Sequence, residues 1–216
     1  MNLILFGPPG SGKGTQSKFI QSQYKLPKLS TGEQIRTAIR ENTEIGKLVK
    51  NTVEQGNFIS DQLATEMISH AFKSGQFSKG FILDGFPRTL NQVKSLDKIL
   101  EENNISLDFV IQLVVSDEAI IKRISGRFIC KSCNENYNEF FRKTKVDGIC
   151  DKCSSKQFVK RGDDKVDVIK KRLNAYNSET APLIPYYKKI GILREIDGME
   201  SIKNVKNNIE NLLKSA

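Results

Sequence analysis

A four-residue apolar run, Leu3 to Phe6, leads directly into the segment GPPGSGKGT at residues 7 to 15, and a helical pattern with Phe19, Ile20 and Tyr24 follows. No other feature narrows the fold as much. A strand, a GxxxxGK turn through Gly7, Gly12 and Lys13, and then a helix form the context in which a glycine-rich turn folds as a phosphate-binding loop. Glycines let successive backbone N–H groups turn inward on a polyphosphate. The helix start adds the positive end of its dipole, and Lys13 supplies a cation. Gly10, Ser11, Gly12, Gly14 and Thr15 complete the expected cradle for a nucleoside triphosphate. Gly14 stands where the general motif has a Ser or Thr that ligates magnesium, with Thr15 one position late. Magnesium must then be held mainly by phosphates, waters and other carboxylates. This departure, and the lack of an NKxD segment anywhere in the chain, argue against a GTPase switch.

Further apolar runs read as buried parallel strands: Leu26 to Leu29, Phe81 to Leu83, Phe109 to Val115 and Ile192 to Ile196. Helical patterns lie between them: Ile35, Ala38 and Ile39, then Leu63, Met67, Ile68 and Phe72, and last Ile202, Val205, Ile209 and Leu212. Such alternation predicts an α/β fold, a parallel sheet covered by helices on both faces. A chain of 216 residues fits one such core with a small insertion. The insertion is visible from about Arg127 to Lys160, a stretch rich in Lys, Asn and Cys with no helical stripe.

Two more segments carry chemistry. LSTGEQIR follows the second strand, where Ser30 and Glu33 make a capping-box pattern and Arg36 lies one turn inside the helix, within reach of an anion. FILDGFPRTLNQ ends the third strand with Asp84, Gly85, Pro87, Arg88 and Gln92. There an acid can organise magnesium, a glycine admits a ligand closely, and an arginine can fork onto a phosphate.

GPPGSGKGTQ, STGEQIR and DGFPRTLNQ, in this order and separation, closely resemble the adenylate kinases, from Met1 to the final helix. The resemblance implies a P-loop NTPase-like five-stranded sheet with the strands in the order second, third, first, fourth, fifth. It implies a core of residues 1–29, 60–121 and 160–216, a small helical AMP-binding insertion at 30–59 and a lid at 122–159. The family's AMP site falls on Thr31, Arg36, Asn57, Phe58, Ile59, Gly85, Phe86, Pro87, Arg88 and Gln92, with Thr31 and Gln92 at the adenine and a cis peptide before Pro87. Arg123 and Arg127, four apart on one helical side, and Arg161 and Arg172, around Asp163 and Asp164, align with the family's catalytic arginines beside Lys13 and Arg88. Asp163 and Asp164 are expected to hold arginines, and Asp84 to meet magnesium through water. In the lid, Asn136 and Tyr137 match a nucleotide contact, although Tyr137 fits hairpin packing equally well. Ile196 to Gly198 match the loop beside the ATP adenine, with Met199 contributing backbone only. The reaction implied is reversible transfer of the terminal phosphoryl group of MgATP to AMP, giving two ADP. His70, outside every motif, reads as a helix-face residue.

Cys130, Cys133, Cys150 and Cys153 form a C-x2-C-x16-C-x2-C arrangement. The spacing suits a tetrahedral zinc ion held by two knuckles. Disulfides conflict with a reducing cytoplasm, and a redox CxxC needs one knuckle rather than two. Zinc here is expected to be structural, because four sulfurs leave no open position and a lid of some thirty residues has little core of its own.

The net charge is +9, and +8 of it lies between Lys122 and Arg172, with fifteen Lys and Arg against seven Asp and Glu. A basic zinc ribbon invites a nucleic-acid reading, and a zinc-ribbon ATPase is the rival from another class. The arginines already matched to nucleotide phosphates account for most of the excess, so no nucleic acid is expected. Sister kinases for UMP or CMP usually have a short lid, and GTP-using relatives usually lack the cysteine quartet. The lack of a basic leader or a long apolar segment points to a cytoplasmic protein off the membrane. The family's usual state is a monomer.

Overall fold

The computed structural model describes residues 1–214; the last two residues of the expected core, 215–216, lie outside the described residues. In chain order the elements are β1 (Asn2–Phe6), α1 (Lys13–Tyr24), β2 (Lys28–Ser30), α2 (Thr31–Arg40), α3 (Glu44–Glu54), α4 (Asp61–Lys73), β3 (Phe81–Asp84) and α5 (Leu90–Glu102). There follow β4 (Phe109–Val114), α6 (Asp117–Ser125), β5 (Arg127–Cys130), β6 (Asn136–Asn138), β7 (Phe158–Val159), α7 (Val166–Ala175), α8 (Ile184–Lys189), β8 (Leu193–Asp197) and α9 (Ile202–Lys214).

Five strands form one parallel sheet in the order β2-β3-β1-β4-β8, as the resemblance implied. Alternate residues of β1 feed the two sides. Ile4 and Phe6 join the core built with α4, α5 and α8, while Leu3 and Leu5 pack with Ile20 of α1 and Val205, Ile209 and Leu213 of α9. Burial on both faces explains why the central strands read as continuous apolar runs. The register sets Leu5 of β1 and Ser30 of β2 opposite Asp84 of β3. The phosphate loop, the start of α2 and the segment after Asp84 therefore emerge side by side from one edge of the sheet, where α/β proteins bind ligands.

The 127–160 stretch folds as a three-stranded antiparallel sheet, β6-β5-β7. Phe128, Tyr137 and Phe158 form its core together with Cys130, Cys133 and Cys150. Among the described residues no helix is long and apolar enough to cross a membrane.

Three local expectations change. The second strand begins at Lys28 rather than Leu26, because Pro27 has no N–H to give a ladder. Ser30 makes no capping hydrogen bond; Glu33 is drawn instead to Lys28 Nζ at 2.7 Å, a charged partner that outcompetes a backbone N–H. Arg123 and Arg127 do not share a helix side. Gly126 ends α6, and Arg127 opens β5 opposite Asn138.

Candidate functional site

A cavity of about 970 Å³ runs from the phosphate loop to the three-stranded sheet, and a smaller one of about 60 Å³ adjoins it behind Gly85 and Gln92. Arg36, Arg88 and Arg172 line both. Three layers of structure build this space: the sheet edge, the α2–α3 pair, and the β5–β7 sheet above.

At the sheet edge the loop takes the left-handed backbone at Gly7, Gly10 and Gly12 (φ 138°, 81° and 105°). A Cβ on Gly10 would lie 2.6 Å from Ile124, so the loop also packs too closely on α6 for a side chain there. Lys13 Nζ donates to the loop's own carbonyls at Gly7 (2.5 Å) and Pro8 (2.8 Å). Burial pushes its ammonium down to about 7, and the nearby Arg88, Arg172 and Arg127 add to the fall against the pull of Asp84. Asp84 is buried, accepts Ser17 Oγ at 3.3 Å, and sits 4.0 Å from where a Cβ on Gly14 would be. A carboxylate so close to the loop fits a cation that travels with polyphosphate.

The arginines crowd around this point. Arg88 Nε donates to Gly85 O at 2.8 Å and its guanidinium lies 4.7 Å over the Phe58 ring. Gly85 takes the left-handed backbone at φ 83°, which strains any side chain, and a Cβ there would also press on Arg88 Nη2 at 2.9 Å. Arg127 pairs in two contacts with Asp164, one of them Nε to Oδ2 at 2.9 Å, and Arg172 donates to Asp163 Oδ2 at 2.7 Å. The two aspartates thus hold arginines. Arg161 donates to Asn136 Oδ1 at 3.1 Å, while its buried Nε has no partner among the described residues. Burial, then Arg36 and Arg127, drive Arg161 down to about 8; burial, then Arg172, drives Arg88 to about 10. So much like charge in a half-dry space is a strained state that a polyanion relieves.

Arg123 reaches Gly198 O (2.7 Å) and Ser11 O (3.4 Å), tying the loop before α9 to the phosphate loop. Met199 lines the large cavity half exposed, but its N–H is taken by Asp197 Oδ1 at 2.8 Å. Thr15 and Gly14 line the same cavity. Around the small cavity lie Thr31, whose hydroxyl donates to Gly85 O at 3.1 Å, with Asn57, Phe58, Ile59 and Gln92.

Phe86 is 1% exposed and its ring belongs to the core beneath β3; the Phe86–Pro87 peptide is cis, and Pro87 lines the large cavity. Tyr137 lines the large cavity and packs within the three-stranded sheet at the same time. The ring stacks on Phe128 at 5.5 Å, and its hydroxyl contacts Cys150 Sγ (3.4 Å) and accepts the Asp151 N–H (2.8 Å). His70 is exposed on α4. Asp61, Ser17, Lys18, Arg40 and Glu135 all contact site-forming residues and carry no motif that announces them.

The four cysteine Sγ atoms lie within 4.8 Å of one another, with Cys130–Cys153 and Cys133–Cys150 each at 3.5 Å. That is far beyond a disulfide and close to the roughly 3.8 Å edge of a tetrahedral zinc–thiolate site. The two knuckles match in their hydrogen bonds. Asn134 N reaches Cys130 O and Ser154 N reaches Cys150 O, while Cys130 N reaches Glu135 O and Cys150 N reaches Ser155 O. Both turns close with a left-handed residue, Asn134 and Ser154. Burial opposes ionisation of Cys150, yet bonds from the Tyr137 hydroxyl and the N–H groups of Lys152 and Cys153 bring its thiol down to about 6. The donor set fits zinc.

The adenylate kinase family model matches residues 5–192. An adenylate kinase from Paramagnetospirillum magneticum is 42% identical over 99% of this chain and 98% of its own length. Those of Allorhizobium ampelinum and Methanosarcina barkeri are each 44% identical over 99% of both chains. With the parallel sheet, the phosphate loop and the cation-lined cavity described above, these matches place the chain in the adenylate kinase family.

Proposed function

We propose that the chain transfers the terminal phosphoryl group of MgATP to AMP, giving two ADP. One observation carries this reading most directly: Lys13 and the arginines converge where a large cavity over the phosphate loop meets a small one behind Gly85, and three of the arginines line both. A single phosphate site would not need cations shared in this way.

In this reading the donor lies along Gly10 to Thr15, with Arg123, Arg127, Asn136 and the Gly198–Met199 loop around its nucleoside. The acceptor lies among Thr31, Arg36, Asn57, Phe58, Ile59, Gly85, Arg88 and Gln92. Residues 30–59 then act as the acceptor-binding part, 122–159 as the lid, and the rest as core. The acceptor phosphate has its second pKa at ~6, so the attacking oxygen is already ionised near neutrality and no general base is required. The only histidine, His70, is outside both cavities. What remains is to bring two polyanions into line, a matter of charge and position. Lys13, Arg88, Arg123, Arg127, Arg161 and Arg172 supply the charge; Asp163 and Asp164 fix the direction of Arg172 and Arg127. Magnesium travelling with ATP would neutralise phosphate charge, and Asp84 is the carboxylate that would meet it through water. The lid keeps water from the transferred group. Cys130, Cys133, Cys150 and Cys153 would hold a zinc ion whose role would be to brace the lid's fold, with four thiolates leaving no coordination position for substrate.

The test is a rate comparison. With MgATP the protein is expected to convert AMP to ADP far faster than UMP, CMP or GMP, with little hydrolysis when no acceptor is present. Equal use of UMP contradicts the acceptor assignment, and rapid hydrolysis indifferent to AMP contradicts the transferase.

A further inference from the structure

Asp61 opens α4 and makes no contact with a phosphate-binding cation, yet both of its oxygens are committed at one corner of the small cavity. Oδ1 accepts Gln92 Nε2 at 2.8 Å, and Oδ2 accepts Thr89 Oγ1 at 3.0 Å. Thr89 Oγ1 in turn accepts the Gln92 backbone N–H at 3.2 Å as the cap of α5. On the other side, the Arg88 N–H donates to Gln92 Oε1 at 2.8 Å.

The two ends of a primary amide have nearly the same outline and are distinguished by their partners. A carboxylate only accepts, and a backbone N–H only donates. Between them they hold the Gln92 amide one way round. A flip would set Oε1 against an Asp61 oxygen and Nε2 against the Arg88 N–H, leaving two buried mismatches. Gln92 is 2% exposed and lines the small cavity. Each amide atom keeps one further hydrogen-bonding position, a donor on Nε2 beside an acceptor on Oε1. That pair complements a base edge with a ring-nitrogen acceptor next to an amine, which is adenine. Hypoxanthine and guanine present the reverse, an N–H next to a carbonyl.

We propose that Asp61 is a positioning residue that locks the Gln92 amide and so makes the acceptor site choose a 6-aminopurine over a 6-oxopurine. The inference rests on the acceptor assignment made above. Asp61 itself touches no nucleotide; it acts through Gln92.

The probe is inosine monophosphate (IMP), which differs from AMP only in carrying a carbonyl for the amine and a proton on N1. Sites that hydrogen-bond a substrate group reject its reversed analogue strongly, so the unaltered protein is expected to prefer AMP over IMP by ~100-fold or more in kcat/KM. Asp61→Asn keeps the shape and can face Gln92 with either end of its own amide. Because the Arg88 N–H still holds Oε1, the AMP-to-IMP ratio is expected to fall by about tenfold rather than vanish. A purely structural role would lower both rates together and leave the ratio alone. A folded Asp61→Asn protein with an unchanged ratio overturns the proposal. So does use of IMP within tenfold of AMP by the unaltered protein, a measurement that needs no variant to fold. If the unaltered protein does not phosphorylate AMP at all, the acceptor assignment fails and this proposal falls with it; if it does, the ratio judges Asp61 alone.

Discussion

Lys13 shows how much a single side chain can reveal about its ligand. Without a ligand its ammonium is held near 7, first by burial and then by the arginines around it, well below its usual range. A bound polyphosphate favours the charged form and raises that value. Between about 7 and the bound value, then, binding takes up a proton, and affinity for ATP weakens as pH rises through this window. Calorimetry at pH 8 in two buffers of different ionisation heat is expected to show close to one proton taken up per ATP, and zero uptake contradicts the account. Lys13, Arg88 and the quartet of cysteines were legible because motif spacing names them. Asp61 was not, because nothing in an acid following a helix-capping serine says which glutamine, 31 residues on, it will hold. The burial of Phe86 was hidden for a related reason: membership in a motif says nothing about which way a ring turns, and this one fills the core. Tyr137 offers a second test at this scale. Tyr137→Phe keeps the stack on Phe128 but removes the bonds to Cys150 Sγ and the Asp151 N–H, at a cost of about 1 kcal/mol. A lower melting temperature and faster zinc loss to a chelator are expected, with turnover at low temperature little changed.

At the scale of elements, the β5–β7 sheet is seated by contacts that no pattern in the sequence announced. Its first knuckle meets two helices: Glu135 lies 3.5 Å from Lys18 of α1 while also bound to Arg142 at 2.7 Å, and Asn134 accepts Arg40 of α2 at 3.2 Å. Glu135→Lys sets a cation against Lys18 and Arg142. It is expected to raise KM for ATP several-fold with a smaller change in kcat, and the defect should shrink at ~1 M salt, where the Debye length is ~3 Å. A salt-independent defect contradicts a charge-based seat. The proposed zinc site lies within the same element. Removing zinc, by chelator or by Cys150→Ser, is expected to lower the melting temperature while turnover at low temperature stays within a few fold. Complete loss of activity in a protein that remains folded would give the metal a catalytic role. The helix patterns with clear apolar stripes were readable in advance, as was the absence of one between Arg127 and Lys160. The end of α6 was not, because a four-residue spacing of arginines looks helical until Gly126 turns the chain.

For the whole molecule, the alternation of buried runs and amphipathic stretches was enough to specify a parallel sheet, and a shared sheet edge explains why three distant motifs meet. What the sequence could not display is the joint between the two cavities, since it arises from α2, α3, α7 and the β5–β7 sheet converging above that edge. The account stands on that joint: one continuous, cation-lined space for two nucleotides end to end. The measurement that tests it most directly is titration with two adenosines bridged by five phosphates. One molecule is expected to bind per chain, at least ~100-fold more tightly than ATP alone, and to exclude both ATP and AMP. Failure to bind, or binding of two molecules per chain at separate sites, contradicts it.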